Sequence, residues 1–297
     1  MKTIQTKQIS LCYQTFGERL HPCVLLLGGL GTAMTRWTSS FCNQLAQRGF
    51  YVIRYDHRDT GCSTFAKHVP TDIAEVMEVL GKGKIEAPFY SLYDLAADAV
   101  ALLDQLQIEK AHIIGRSMGG IVGQIIASTY KERTLSLTVI MSTSLHPSLP
   151  PTMPDVMQQM MAPLPSYQRD KNKHLRKRLA FIKRISSTDL PFLEQEEIDL
   201  IEEDYQRNKK PNNTLMHIIA IGFTPYAPEI TKQISCPTLL IHGTIDPVFP
   251  KEHALDLHAS IAHSKLVLID NMGHDLHVER YSKIMDAFEE NIQTKHP

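Results

Sequence analysis

Ile113-Ile114-Gly115-Arg116-Ser117-Met118-Gly119-Gly120 runs an apolar segment straight into G-x-S-x-G, and Ile121, Ile125 and Ile126 then continue at helical spacing. The chemistry of a serine nucleophile needs this order. A hydroxyl is a weak nucleophile, so it must protrude from a tight turn where a base can reach it, and small neighbours relieve the crowding. The same turn brings the amide of Met118 to a helix N-terminus, where unpaired N–H groups favour a developing negative charge. A lone G-x-S-x-G arises by accident in roughly one chain in ten of this length. A strand before it and a helix after it make the match far more specific.

Outward from this turn, short apolar runs alternate with helical stretches. The runs are Cys23–Leu27, Tyr51–Tyr55, Ala111–Ile114, Leu135–Met141, Thr238–Ile241 and Leu266–Ile269. Several are unbroken, as expected of strands covered on both faces of a parallel sheet. Leu92–Leu106 carries apolar residues close to a 3.6 period. The alternation predicts an α/β class, a mostly parallel central sheet flanked by helices.

A serine nucleophile needs a histidine base and an acid to orient it. Asp246 lies just past the apolar run ending at Ile241, and His274 just past the run ending at Ile269. The chain order Ser117, Asp246, His274 is the one expected for a serine on such a turn. The 28 residues from Asp246 to His274 leave room for one crossover helix, about Glu252–Ile261, and one strand. All three residues follow C-terminal strand ends, which parallel strands place along one edge, where open sheets bind ligands. His242, His277 and His146 are weaker candidates for the base, and Asp270 and Asp275 for the acid.

The oxyanion needs a second donor. Leu25-Leu26-Leu27-Gly28-Gly29-Leu30-Gly31 is a strand emptying into a glycine-rich turn, and the Leu30 amide is placed to join that of Met118. Neither G-x-G-x-x-G nor G-x-x-x-x-G-K-[ST] occurs, so a phosphate-cradling loop is disfavoured.

Composition narrows the field. The 297 residues are 43% hydrophobic, and 31 Lys+Arg stand against 32 Asp+Glu for a formal charge of -1. No global field draws the protein to nucleic acid. The five cysteines, at 12, 23, 42, 62 and 236, have no zinc-finger or C-x-x-C spacing and read as reduced thiols. No apolar stretch reaches the length of a membrane span, and Met1–Gln8 has no signal-like apolar region, so a cytoplasmic protein is expected.

With these segments in hand, the chain resembles the α/β-hydrolase family. The resemblance is carried by Gly28-Gly29-Leu30-Gly31 with Trp37, by the Arg54–Ser63 turn, by the serine turn, and by the Asp246 and His274 strand ends. Arg54–Ser63 and Tyr93–Val100 look most like the aclacinomycin methylesterase-type branch, which implies carboxylic-ester hydrolysis on a small-molecule substrate. Three departures stand out: many relatives carry His where Gly28 stands and Gly where Asp59 stands, and Arg116 is unusual inside the turn. The resemblance implies two-step acyl transfer without metal or organic cofactor: His274 takes the Ser117 proton, Asp246 fixes its tautomer, and Leu30 and Met118 amides hold the oxyanion. The same machinery would also serve an acyltransferase, a thioesterase or a C–C bond hydrolase. A fold that has lost catalysis and only binds a ligand is the alternative from another class. The sequence leaves the oligomeric state open.

The alternation lapses between about Leu145 and Thr231. There, six prolines between Pro147 and Pro165 precede three helical patterns, marked by Leu175, Leu179 and Ile182, by Ile198, Ile201 and Tyr205, and by Met216, Ile219 and Phe223. The resemblance makes residues 145–231 a helical cap between strands 6 and 7, with residues 1–144 and 232–297 as the core. Met153, Met157, Met160 and Met161 offer adaptable apolar surface. Gly29, Met153, Met157, Met216 and His217 are the expected substrate-binding residues, in a pocket for a mainly hydrophobic ester. The basic stretch Lys171–Arg184 and the acidic Glu194–Asp204 read as compensating solvated faces. Within residues 64–90, a possible lid, Asp72 and Glu75 predict a helix N-terminus, Ile73, Val76, Met77 and Leu80 its apolar stripe, and Gly81 its end.

Overall fold

A computed structural model describes residues 1–208 and 211–293. Among them, eight strands make one sheet: β1 (Lys2–Gln5), β2 (Ser10–Phe16), β3 (Cys23–Leu27), β4 (Tyr51–Tyr55), β5 (Ala111–Arg116), β6 (Thr134–Ile140), β7 (Thr238–Gly243) and β8 (Lys265–Ile269). The spatial order is β1-β2-β4-β3-β5-β6-β7-β8. The β1–β2 and β2–β4 pairings are antiparallel, and every pairing among β4, β3, β5, β6, β7 and β8 is parallel. The six parallel strands are the six apolar runs of the sequence. The antiparallel pair escaped that reading because β1 is a largely exposed edge and β2 mixes polar with apolar residues.

Consecutive strand residues point to opposite faces, so an unbroken apolar run fills two layers at once. Leu25, Leu27, Ile113 and Leu137 pack against α3 (Leu92–Gln105) and α4 (Met118–Thr129), which follow α1 (Ser39–Gln47) and α2 (Ile73–Gly81) in the chain. Their neighbours Val24, Leu26, Ile114 and Ile140 pack on the other side, with Phe41 and Leu45 of α1. Ile284 and Phe288 of the last helix complete that layer.

Between β6 and β7 the chain forms α5 (Pro154–Met161), α6 (Lys171–Ile185), α7 (Glu194–Asn208), α8 (Thr214–Gly222) and α9 (Pro228–Lys232). The helices α10 (Glu252–Ser260) and α11 (Tyr281–Gln293) flank β8. The charged faces of α6 and α7 meet only in part: Lys171 pairs with Glu202 at 2.6 Å, while Arg184 turns to Asp155 of α5. Among the described residues, no helix is long and apolar enough to cross a membrane.

The expected helix near residue 73 is α2. The Asp72 side chain accepts from the Glu75 amide at 3.0 Å, and the Glu75 carboxylate accepts from the Thr71 amide at 2.8 Å, one residue earlier than a regular box. Gly81 closes the last turn, and the left-handed backbone falls later, at Gly83 (φ 65°). Of the expected stripe only Val76 is fully buried; Met77 is 64% exposed.

The sheet meets α4 with unusual intimacy. A side chain at Gly119 would strike the carbonyl oxygens of Leu27 and Gly28, which belong to backbone and cannot swing aside. Alanine favours a helix over glycine by about 1 kcal/mol, whereas overpacking costs about 1–3 kcal/mol. Because the clash is with backbone, the overpacking cost falls at the upper end of that range, and Gly119→Ala should lower stability by about 2 kcal/mol in urea unfolding. Unchanged or increased stability would show that β3 yields freely.

Candidate active site

Ser117 sits between the last residue of β5 and the first of α4 with φ 53° and ψ −126°, a strained backbone for a residue with a side chain. Three hydrogen bonds hold it. Its amide donates to the Ile140 carbonyl at 3.0 Å, and its carbonyl accepts from the Gly120 amide at 2.8 Å and from the Ser142 hydroxyl at 2.7 Å. Gly115 and Gly119 let the two arms of the turn approach, since a side chain at Gly115 would strike the Gly119 backbone.

The structure brings Ser117, His274 and Asp246 into one line. His274 Nδ1–H donates to Asp246 Oδ2 at 2.7 Å, which leaves Nε2 to accept from the Ser117 hydroxyl at 3.0 Å. The other carboxylate oxygen, Oδ1, accepts from the Val248 and Phe249 amides at 2.8 and 2.9 Å. Burial pushes the Asp246 carboxyl up, but His274, His242 and the Phe249 amide outweigh it and hold the carboxyl below its ordinary value. His274 is kept in place from behind: its amide donates to Ile185 at 2.6 Å, and the Phe249 ring meets its imidazole edge-on.

The rival residues are occupied elsewhere. His242 donates through Nε2 to the Phe249 carbonyl at 2.7 Å, and burial lowers its pKa. His277 accepts from Glu279 at a helix start, and His146 engages Ser148. Asp275 accepts from Ser187, and Asp270 is exposed on the surface.

Gly29 and Leu30 lie against the nucleophile: a Cβ at Gly29 would stand 3.4 Å from that of Ser117. The Leu30 amide has no acceptor among the described residues. Met118 opens α4, so its amide is one that a helix leaves without an internal partner. Both amides are therefore available at the serine.

Ser117 and His274 open on a cavity of about 1260 Å³, roofed by α5, α6, α7 and α8. Gly29 and Met157 line it, as expected. Met153, Met216 and His217 do not. Met153 sits at the start of α5, 46% exposed, with its sulfur near the Arg184 guanidinium. Met216 and His217 are fully buried on the core side of α8, and the cavity face of that helix is Leu215, Ile218 and Ile221. α8 is apolar nearly all round, so its sequence could not say which face meets a ligand.

One trio of metal-ligand types stands together among the described residues, Cys12, Asp56 and Cys62. Asp56 is already taken: it pairs with Arg207 at 2.6 Å and accepts from the Met34 and Cys62 amides. Burial pushes the Cys12 thiol up to about 11, so it stays protonated.

Residues 22–281 match the family described as alpha/beta hydrolase fold. The chain belongs to that family. It is 27% identical to the rhodomycin D methylesterase of Streptomyces peucetius across 93% of this chain and 92% of that one. A 3-oxoadipate enol-lactonase of Acinetobacter baylyi is 31% identical over 44% of this chain and 41% of its own. Among solved structures, an enol-lactonase from Burkholderia xenovorans superposes with a TM-score of 0.72 at 19% identity, covering 99% of this chain and 100% of that one. A thermophilic esterase from Thermogutta terrifontis gives 0.69 at 20% identity, covering 99% of each.

Several residues at the site carried no sequence signal. Ser142, Val248 and Phe249 act at the elbow and at Asp246 through short local turns, and nothing in their residue type marks them. Because the folded state holds Asp246 ionised below the ordinary carboxylate range, its contribution to stability is complete above that range. It is lost as pH falls toward the depressed folded value. Asp246→Asn should flatten this acid limb in urea midpoints measured against pH. Superimposable limbs for parent and variant would refute an ionised carboxylate there.

Proposed function

We propose that the chain hydrolyses a bulky, mainly hydrophobic carboxylic ester through an acyl-enzyme on Ser117. The observation that carries this reading is the unbroken line from Asp246 through His274 to the Ser117 hydroxyl, opening on an apolar cavity. The full-length likeness to a methylesterase supports the ester bond as the one cleaved.

In this reading His274 Nε2 takes the hydroxyl proton as Ser117 Oγ attacks the ester carbonyl. Positive charge then develops on the imidazole, which the ionised Asp246 stabilises and holds in the Nδ1–H tautomer. Negative charge develops on the carbonyl oxygen, within reach of the Leu30 and Met118 amides. His274 returns the proton to the departing alcohol, and water repeats the sequence on the acyl-enzyme. The strained backbone at Ser117 keeps the hydroxyl raised toward both partners.

Residues 145–231 act as the cap over this site, and residues 64–90 as a lid at its side. The cavity exceeds the roughly 300–1,000 Å³ typical of small-molecule sites. Such a volume suits a large fused-ring or long-chain ester better than an acetate.

Ser117→Ala should abolish turnover of chromogenic esters and labelling by a fluorophosphonate while circular dichroism stays unchanged; retained turnover would remove Ser117 from this role. Product analysis with competing alcohols distinguishes hydrolysis from acyl transfer. Ile218→Trp, which narrows the cavity, should depress kcat/KM for a bulky ester about tenfold more than for an acetate ester. Equal losses would place the substrate elsewhere.

A further inference from the structure

The first turns of α8 and the residues just before it do more than cover the site: they grip the glycine turn that carries the Leu30 amide. The Gly31 amide donates to His217 Nδ1 at 3.1 Å, and the Gly31 carbonyl accepts from Asn212 Nδ2 at 3.0 Å. Both polar groups of a residue next to Leu30 are thus held by side chains from outside the core. Gly31 has a left-handed φ of 59°, and a side chain there would strike Thr214 of the same segment.

The two gripping side chains are themselves fixed to the loop after β4. His217 Nε2–H donates to the Arg58 carbonyl at 2.9 Å, and Asn212 Oδ1 accepts from the Gly61 amide at 2.9 Å. His217 is completely buried, and burial lowers its pKa, so the ring is neutral with its one proton on Nε2. The Nδ1 lone pair is therefore free to accept. The imidazole and the amide act as struts between two loops; His217 has no face on the cavity, and Asn212 borders it.

We propose that His217 and Asn212 are positioning residues that fix the Gly28–Gly31 turn so that the Leu30 amide meets the oxyanion. The proposal rests on the ester-hydrolase reading of Ser117. An oxyanion donor acts through its place in the transition state, and a displacement of about 1 Å can cost about 100-fold in rate. Loosening the turn should therefore lower kcat while leaving KM, which reports the distant apolar contacts, nearly unchanged.

The test compares His217→Ala and Asn212→Ala with the parent on one chromogenic ester, with active sites counted by the end point of fluorophosphonate labelling. Asn212→Ala removes the donor to Gly31 and the acceptor for Gly61 without adding a charge beside the oxyanion turn. Both variants should lose about 10- to 100-fold in kcat per titrated site, with KM within about twofold. Affinity for a boronic-acid transition-state analogue should fall in parallel. His217→Asn, which keeps an acceptor near the place of Nδ1, should regain most of the loss. A merely structural role would lower the number of titratable sites and leave kcat per site untouched, and that result overturns the proposal. If His217→Ala does not fold, Asn212→Ala decides alone. Turnover surviving in Ser117→Ala would instead overturn the hydrolase reading, a separate outcome read on a separate variant.

Discussion

The left-handed backbone of Ser117 is the constraint on which the site depends. Such a conformation costs about 1–3 kcal/mol and persists only where the surroundings overdetermine it. Here β6 supplies the Ile140 carbonyl, the loop after β6 supplies the Ser142 hydroxyl, and α4 closes back through Gly120. Glycine at 115 and 119 is required because backbone, not side chain, occupies the space where a Cβ would go. Parallel pairing of β3 and β5 then sets the glycine turn beside the serine, since Leu27 and Gly115 are register partners. One strained residue thus fixes the distance between nucleophile and oxyanion turn.

A buried carboxylate is the second demand. An isolated ion removed from water costs several kcal/mol even after relaxation, so Asp246 is tolerable only if its oxygens are satisfied. Two amides on Oδ1 and the His274 Nδ1–H on Oδ2 do this. The amides come from Val248 and Phe249, two and three residues along the same turn, so the geometry is local and follows from the chain leaving β7. His274 arrives from the end of the neighbouring β8, and the register of β7 with β8 brings the two loops together. The ionised state of Asp246 is therefore a product of the fold and not of the histidine alone.

This explains what the sequence could and could not disclose. Strand ends were legible because unbroken apolar runs need two covered faces, and Ser117, Asp246 and His274 each mark such an end. Elements with weak burial were not: β1 is an exposed edge, and α5 and α9 are short helices begun by proline. Face assignment failed on α8, where Met216 and His217 turned to the core and Leu215 and Ile218 to the cavity. A periodicity argument needs a polar side to choose against, and α8 has almost none. Met153 failed differently: position at a helix start, not residue type, set it outside the cavity.

The departures from the family pattern join this account at Asp59. Its φ is 65°, in the left-handed region that favours glycine. Asp can enter that region because a short polar side chain finds local partners. Here the carboxylate accepts from the Ala66 amide at 2.9 Å, from the Tyr90 hydroxyl at 2.8 Å and from Asn213 Nδ2 at 2.7 Å. Its carbonyl accepts from the Asn213 amide as well, at 2.9 Å. Glycine could adopt the backbone but would leave Tyr90 and Asn213 without that acceptor. Asn213 is the neighbour of Asn212, and Thr214, which presses on Gly31, follows directly. The aspartate at 59 and the glycine at 31 are thus two ends of one requirement: this chain ties the entry to α8 into the core loops, and the turn beside the nucleophile takes its shape from that tie.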